Sequence, residues 1–447
     1  MTPFRTTFVA LRNRNFRAWA AADVVSVTGT WMQVLAVNWY VLQVTGSTAM
    51  MGLTVLLQTV PSLLLAPLGG VIADRVRGRG ILVFTQLAHA ALAAGLAIVA
   101  ARGGGLPIVY ALSLLGGLVG SIESPIMGRF CATLVDRSVL GNALSLGSLI
   151  NSTGRILGMA LGGVALAAMG AAPLFAANAV SFLAVIGVLL MIRTREPVSA
   201  PTSDAPVASG GLRAGLAYLA RQPVVLVVLG LSLVLGSLGR NYQVTMAAMT
   251  DGPLGGGAAA YGMLSATFAV GTVLGGLVAA SRTTLGLRTL IGMGALTSVL
   301  QLTGGFSPNV AALAGIVVPV ALGAVVIDTT VATRIQLDTD WSMRGRVLGI
   351  AAAVSSASGA VGAPLLGWLS QTIGPRTTFV AAGATTLVAC AVAGALLARL
   401  RGTHWSIDEG WRTLRTAVGL PSFARRADPA LALSAPFPRP VKESLPE

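Results

Sequence analysis

Long apolar runs with few charges recur from one end of the sequence to the other, and they constrain the fold more than any other feature. Hydrophobic residues make up 54% of the 447 positions and charged residues only 10%, against about 25% charged in soluble proteins. A helix needs about 20 mostly apolar residues to cross a bilayer, and such runs are too long and uniform to be strands. The sequence therefore predicts an all-α membrane protein with twelve transmembrane helices, at about 17–43, 48–70, 80–101, 106–128, 142–168, 172–192, 223–248, 260–280, 286–305, 309–333, 347–369 and 375–398.

Arginines mark alternate loops between these runs, and this pattern predicts the orientation of the helices. Arginine-rich loops include those at 75–79, 193–221 and 334–346, whereas the intervening loops contain only Arg102 and Arg376. Basic residues in short loops stay on the cytoplasmic side, so both termini are predicted to be cytoplasmic. The N-terminus lacks the short apolar core and cleavage site of a signal peptide. We therefore expect a multi-pass protein of the bacterial cytoplasmic (inner) membrane.

The longest gap between apolar runs, 193–222, contains three prolines and divides the helices six and six. A repeat supports this division, because the segment at 69–73 recurs at 275–279 as Gly-Gly followed by apolar residues. Two similar halves of six helices are a known transporter plan. The predicted domains are an N-terminal six-helix bundle at 1–192, a cytoplasmic linker at 193–222, a C-terminal six-helix bundle at 223–399 and a cytoplasmic tail at 400–447. A capping box at 406–409 and apolar residues at helical spacing predict a short amphipathic helix in this tail.

Residue types that carry enzyme chemistry are scarce in this sequence. The only lysine is Lys442, so the sequence has no phosphate-binding loop of the kind that an ATP-driven pump needs. With two histidines and two cysteines, we expect no metal site, no cofactor and no disulfide, and we predict that Cys131 and Cys390 are buried thiols. The net charge of +15 is spread between apolar runs and does not form a nucleic-acid-binding surface. The sequence therefore predicts a protein that is not an enzyme and whose environment is the lipid bilayer.

Several short motifs resemble one family of membrane transporters. The segment from Gly69 to Arg79, which contains Gly70, Asp74, Arg75 and Arg79, resembles the cytoplasmic loop signature of the major facilitator superfamily. The segments 13–17, 29–31, 142–144 and 344–347 are similar to the enterobactin-exporter-type branch, which includes drug and siderophore exporters. The resemblance implies two pseudo-symmetric six-helix bundles. It also implies a conformational gate in which Asp74 faces the start of the eleventh helix; the alternative is that the arginines only set the membrane orientation.

Three carboxylates, Asp23, Glu123 and Asp328, lie within the predicted spans. Ionisable groups within a bilayer are costly, and they usually face a cavity or a partner. A carboxylate whose surroundings change between two conformations takes up and releases a proton, so these acids are candidates for proton coupling. Glu123 and Asp328 have equivalent places in the two halves, and we expect Glu123 to pair with Arg155. The alternative is a permanent ion pair that holds two helices together.

Polar side chains within the spans are candidates for binding a substrate. Arg240, with Asn241 and Tyr242 beside it, is suited to an anionic or oxygen-rich ligand through paired hydrogen bonds, although it could instead extend to the membrane surface. His89 is more often a packing residue than a proton carrier. The further substrate-binding candidates are Gln33, Asn38 and Asn151.

These features favour a secondary active transporter that exports an amphipathic small organic molecule, such as a drug, a siderophore or a secondary metabolite. Its partners would be the small-molecule substrate, protons and the bilayer. Proton-coupled import of a small solute is an alternative, because fold does not decide direction. A membrane sensor that does not transport is a third hypothesis, against which the embedded acids and the Asp74 motif argue.

Overall fold

The computed structural model describes residues 8–75, 78–192, 211–239, 241–282, 285–340 and 343–401. Fourteen α-helices and two short 3₁₀ helices, Val9–Arg12 and Arg137–Val139, account for most of these residues, and no strand occurs among them. The α-helices are α1 Arg14–Thr45, α2 Thr48–Arg75, α3 Gly78–Ala101, α4 Leu106–Thr133, α5 Leu140–Met169, α6 Ala171–Met191, α7 Gly211–Ala220, α8 Pro223–Gly239, α9 Tyr242–Asp251, α10 Gly257–Ala280, α11 Leu287–Gly304, α12 Val310–Leu337, α13 Arg344–Thr372 and α14 Pro375–Arg401.

The helices confirm the predicted all-α membrane fold. In the described part of the chain, eleven spans are long and apolar enough to cross a membrane when α8 and α9 are taken together. The remaining long helix, α11, occupies the ninth predicted span and contains the polar residues Arg288 and Gln301. Gln301 is buried, and its amide nitrogen donates a hydrogen bond to the carbonyl of Leu238 at 2.9 Å. Its polar side chain therefore faces protein and not lipid.

The helices pack in two sets of six spans. In the first set, α1 packs against α5 and α6, α2 against α4, and α3 against α4 and α6. In the second set, α10 packs against α12, α11 against α12 and α14, and α8 against α13 and α14. Each set has its own apolar core, and the cores include the unpaired, buried Cys131 and Cys390 respectively. The predicted buried thiols are thus confirmed.

Two pairs of helices, α2 with α13 and α5 with α10, join the two halves. Gly163 of α5 lies directly against Gly262 of α10, and a Cβ atom on either residue would collide with the backbone of the other. In the other pair, the Thr48 hydroxyl donates a hydrogen bond to the carbonyl of Gly367 at 2.7 Å, and the Ser47 hydroxyl, just before α2, donates one to Gln371 Oε1 at 2.7 Å. These contacts tie the halves together at the face where α1 ends and α2 begins. Small residues allow such close approach between membrane helices.

A helix that the sequence did not indicate, α7, occupies the end of the segment predicted to be a plain linker. Leu219 of this helix is buried, and the hydroxyl of Tyr218 accepts a hydrogen bond from the backbone amide of Asp340 at 3.1 Å. The helix packs against α8 and α13, so it belongs to the second half. The rest of the predicted linker, at 193–210, and the predicted amphipathic helix of the tail lie outside the described residues.

The contact between Gly163 and Gly262 predicts opposite effects for two glycine substitutions in the same helix. A Gly262→Ala variant should have a lower melting temperature in detergent, because its new methyl group meets the backbone of Gly163. A Gly276→Ala variant has open space around the new methyl group. It should melt at the same temperature or higher, because alanine is about 1 kcal/mol better than glycine within a helix. Equal changes in the two variants would contradict the proposed packing.

Candidate functional site

A cavity of about 220 Å³ lies between the two halves. The first half supplies residues of α1, α2 and α5, and the second half supplies the first turns of α9 and the middle of α10. Aromatic, amide and sulfur-containing side chains make most of this surface. The residues that line this central cavity are Trp31, Val55, Arg155, Met159, Asn241, Tyr242, Gln243, Val244, Met246, Ser265, Phe268 and Ala269.

Arg155 projects from α5 into the central cavity and reaches the opposite half. Its Nη2 donates a hydrogen bond to the hydroxyl of Thr272 on α10 at 2.6 Å. Its guanidinium lies 5.7 Å from the centre of the Trp31 ring, in a cation–π contact. Its buried Nε has no hydrogen-bond partner among the described residues. Arg155 is therefore held at a contact between the halves with part of its donor capacity unused.

The helical span at 223–251 is interrupted where it meets the central cavity. α8 ends at Gly239 and α9 begins at Tyr242. The Asn241 amide stabilises this interruption, since its Nδ2 donates hydrogen bonds to the carbonyls of Gly236 at 3.1 Å and Ser237 at 3.0 Å. These carbonyls are among the last four of α8, which have no partner within the helix. The apolar run at 223–248 predicts one continuous helix, so the interruption is a difference between the structure and the prediction.

A second cavity, of about 460 Å³, lies within the first half among α1, α2, α3, α4 and α6. Asp23 and Glu123 both line this acidic cavity, together with Gln86 and His89. Two carboxylates in one cavity repel each other when both are ionised. Binding of one proton removes that repulsion. The cavity therefore has the composition of a proton-binding site.

Glu123 has different partners from the one predicted. Its Oε1 accepts a hydrogen bond from Gln86 Nε2 at 2.7 Å, and its Oε2 lies 3.1 Å from His89 Nε2. The second contact lacks hydrogen-bond directionality, so it is electrostatic when the imidazole is protonated. His89 in turn stacks on Phe182, with ring centres 5.2 Å apart. The structure does not form the predicted pair with Arg155, because Glu123 and Arg155 line different cavities.

The other sequence candidates divide among different places. Asn241 and Tyr242 line the central cavity, whereas the neighbouring Arg240 lies outside the described residues. Gln33 lines the acidic cavity and accepts a hydrogen bond from Asn178 Nδ2 at 2.8 Å. Asn38 joins the two halves, since its Nδ2 donates to Gln243 Oε1 at 3.3 Å.

Asp328 and Asn151 lie away from both cavities. Asp328 occupies nearly the same position along the 28-residue helix α12 as Glu123 does along the 28-residue helix α4. It is nevertheless exposed, and it lines neither cavity. Asn151 is also exposed, one helical turn from Arg155. The structure therefore brings Asp23 and Glu123 together but does not bring Asp328 to them.

Only part of the predicted gate motif is described. Arg79 at the start of α3 donates a hydrogen bond from Nη2 to the carbonyl of Leu190 at 2.7 Å, within the first half. That carbonyl belongs to the last turn of α6, where the helix dipole favours a positive charge. The surroundings of Gly70, Asp74 and Arg75, in the last turns of α2, lie outside the described residues. Their role as a gate stays a prediction.

Comparison with known proteins identifies the family. Residues 5–408 match the family of transmembrane secretion effectors within the major facilitator superfamily. The chain belongs to this family. The curated proteins that it resembles are named as transporters.

Two curated relatives match part of the chain. The chain is 28% identical over 179 residues to the staphyloferrin A transporter of Staphylococcus aureus, a match that covers 40% of this chain and 45% of that protein. It is 25% identical over 210 residues to an uncharacterized transporter of the same superfamily from Bacillus subtilis, covering 46% of this chain and 49% of that protein. The chain thus matches about half the length of these relatives.

Solved structures of transporters share the fold. The nucleoside transporter NupG superposes with a TM-score of 0.71 at 10% identity, covering 86% of this chain and 99% of that one. A bacterial homologue of the iron transporter ferroportin, in an inward-facing state, gives 0.65 at 17% identity, covering 86% of this chain and 98% of that one. Identities this low support the major facilitator fold alone.

The interruption between α8 and α9 predicts a difference between two asparagine substitutions. An Asn241→Ala variant should lose about 1–3 kcal/mol of stability, because two carbonyls at the end of α8 lose their donor. An Asn151→Ala variant should change stability by no more than about 0.5 kcal/mol, since Asn151 is exposed. Thermal unfolding of the purified proteins in detergent compares them. Similar melting temperatures for the two variants would contradict the structural role of the Asn241 amide.

Proposed function

We propose that this transporter exports an amphipathic small organic molecule in exchange for protons across the bacterial inner membrane, with both termini in the cytoplasm. The observation that carries the proposal is the separation of charge between the two cavities. Asp23 and Glu123 share the acidic cavity of the first half, whereas Arg155 is the one charged residue that lines the described central cavity. Protons and substrate therefore have different sites.

The acidic cavity supplies what proton coupling requires. A proton bound by Asp23 or Glu123 reduces the repulsion between these carboxylates, and Gln86 and His89 hold Glu123 in place. A change in the packing of α1 and α4 would change the environment of both acids and release the proton. Each proton that crosses the membrane carries about 2.3 kcal/mol per 100 mV of potential. This energy supports export against a concentration gradient.

The relatives support export and a siderophore-like or drug-like cargo. The members of the matching family are described as transmembrane secretion effectors. One relative is a staphyloferrin A transporter. The mixture of aromatic and amide side chains in the central cavity suits an amphipathic molecule. Proton-coupled import is the alternative that the experiment below separates from export.

Proton exchange is testable in inverted membrane vesicles that contain the transporter. Acridine orange reports an acidic lumen, and radiolabelled compounds of several classes are added outside. A transported compound should accumulate in the lumen only when the lumen is acidic, and it should relieve the quenching of the dye because protons leave. Compounds that leave preloaded vesicles together with protons would identify an importer instead.

Substitution of the acids tests their assignment in the same vesicles. Glu123→Gln and Asp23→Asn variants should lose most proton-driven accumulation, because the amides do not carry a proton. Asp328→Asn is the matched substitution at the equivalent position of the other half, outside the acidic cavity. It should retain most of the activity. Equal accumulation by the Glu123→Gln and unmodified proteins would remove Glu123 from the mechanism.

A further inference from the structure

The central cavity contains a positive charge without a negative one. Arg155 is the one charged side chain among the described residues that line it. Arg155 also forms no ion pair with any described residue, because its contacts are the hydroxyl of Thr272 and the face of Trp31. A charged residue at membrane depth is costly and normally has a functional partner. An acidic group on a ligand would supply that partner.

Arg155 has donors available for such a ligand. A guanidinium has five N–H donors arranged in a plane that matches a carboxylate or phosphate. The described residues accept one hydrogen bond from this group, at Thr272, and leave the buried Nε without an acceptor. Buried polar groups are nearly always paired. Because only one of its five N–H donors has an acceptor among the described residues, the guanidinium retains donors for an acceptor from outside the chain.

The first turn of α9 favours an anion at the same place. Asn241, Tyr242 and Gln243, at the start of this ten-residue helix, line the cavity together with Arg155. The first N–H groups of a helix have no partner within it, and the helix dipole places partial positive charge there. In other transporters, half-helices whose N-termini face the site bind anionic substrate groups. Two independent parts of the fold thus place positive potential in one cavity.

The remaining side chains that line the central cavity indicate what the apolar part of the ligand is like. Tyr242 packs against Phe268, with ring centres 5.2 Å apart, and both rings line the cavity beside Met159 and Met246. These groups bind an aromatic or aliphatic body. The volume of about 220 Å³ is below the roughly 300–1,000 Å³ of most drug-sized pockets, which favours a compact ligand.

We propose that the central cavity binds an organic anion, with its acidic group on Arg155 and the first turn of α9 and its apolar body against Phe268 and Tyr242. The inference rests on the proposed function in taking this cavity as the substrate site, and it is independent of proton coupling. The acidic cavity would repel the same ligand, because Asp23 and Glu123 line it. The two cavities therefore select opposite charges.

Binding of matched acids and amides to the purified transporter tests this proposal. The probes are radiolabelled benzoic, 1-naphthoic and 9-anthracenecarboxylic acids, each paired with its neutral amide, measured by equilibrium dialysis at pH 7. The unmodified protein should bind at least one carboxylate roughly tenfold more tightly than its amide, the size expected of one charge-assisted hydrogen bond. Failure of every carboxylate to exceed its amide would overturn the proposal.

Variants at Arg155 test whether this residue causes the tighter binding of the carboxylate than of its amide. Arg155→Gln should bind the acid and the amide equally, with the affinity for the amide preserved. Arg155→Lys should keep a reduced preference, since lysine keeps the charge but loses the planar pair of donors. Arg102→Gln, at an exposed position away from the cavity, should keep the full preference. An undiminished preference in Arg155→Gln, or an equal loss in Arg102→Gln, would overturn the proposal.

The same measurements remain decisive if one variant does not fold. If Arg155→Gln does not fold, the Arg155→Lys variant is compared with the unmodified protein. An unchanged preference of Arg155→Lys for the carboxylate over its amide would contradict recognition by paired donors. Dialysis uses no membrane and no proton gradient. Acid-selective binding without exchange in vesicles would therefore overturn the proposed function alone, whereas exchange without acid-selective binding would overturn the anion site alone.

Discussion

The free-energy cost of placing a charge within a bilayer determines where the charged side chains of this structure lie. Such a charge persists only where a partner, a cavity or water accommodates it, and the described spans contain few of them. Asp23 and Glu123 meet this requirement by sharing one polar cavity with Gln86 and His89, whereas Arg155 meets it with Thr272 and Trp31 at the contact between the halves. Because the two acids and Arg155 line different cavities, they do not neutralise each other. In the proposed transport, this arrangement keeps the acids available for protons and Arg155 available for substrate, which a permanent ion pair between them would not do.

Close packing at glycine residues joins the two halves between which the central cavity lies. Gly163 against Gly262, and Thr48 bonded to Gly367, hold the two halves together at the face where α1 ends. A cavity between two rigid bundles is opened and closed when such contacts break on one face and form on the other, as in the rocking of transporter halves. Arg155 and Asn38 also bond across this boundary. A ligand that competes for Arg155 therefore acts on a contact between the halves.

The sequence was sufficient for the spans but not for the partners of their side chains. The length and composition of a spanning helix are set by the bilayer, so α3 begins within two residues of its predicted start and ends as predicted. The partner of Glu123 depends instead on how α3, α4 and α5 are rotated about their axes, and one residue along a helix turns a side chain by about 100°. Gln86 and His89 are three residues apart and therefore lie on one face of α3. Their spacing in the sequence indicates that they could bind the same partner, which in the structure is Glu123. Gly239 and Asn241 are residue types that often end helices, but glycine is too common in this sequence, with 55 residues, to single out the interruption in the run at 223–248. The hydrogen bonds of the Asn241 amide to carbonyls of its own span and of Ser358 are visible only in the structure.

The two cavities are joined by the helices that they share. Asp23 and Trp31 both belong to α1, eight residues apart in sequence, and Trp31 lies under the guanidinium of Arg155. A rise of about 1.5 Å per residue separates them by about 12 Å along the axis. α2 also lines both cavities, through Gln58 and Val55. A movement of the first half that follows protonation of the acidic cavity would therefore carry Trp31, Val55 and Arg155 together relative to Thr272 of the second half. Exchange of a proton for an organic anion needs this kind of shared rigid element, because the two charges are never in direct contact.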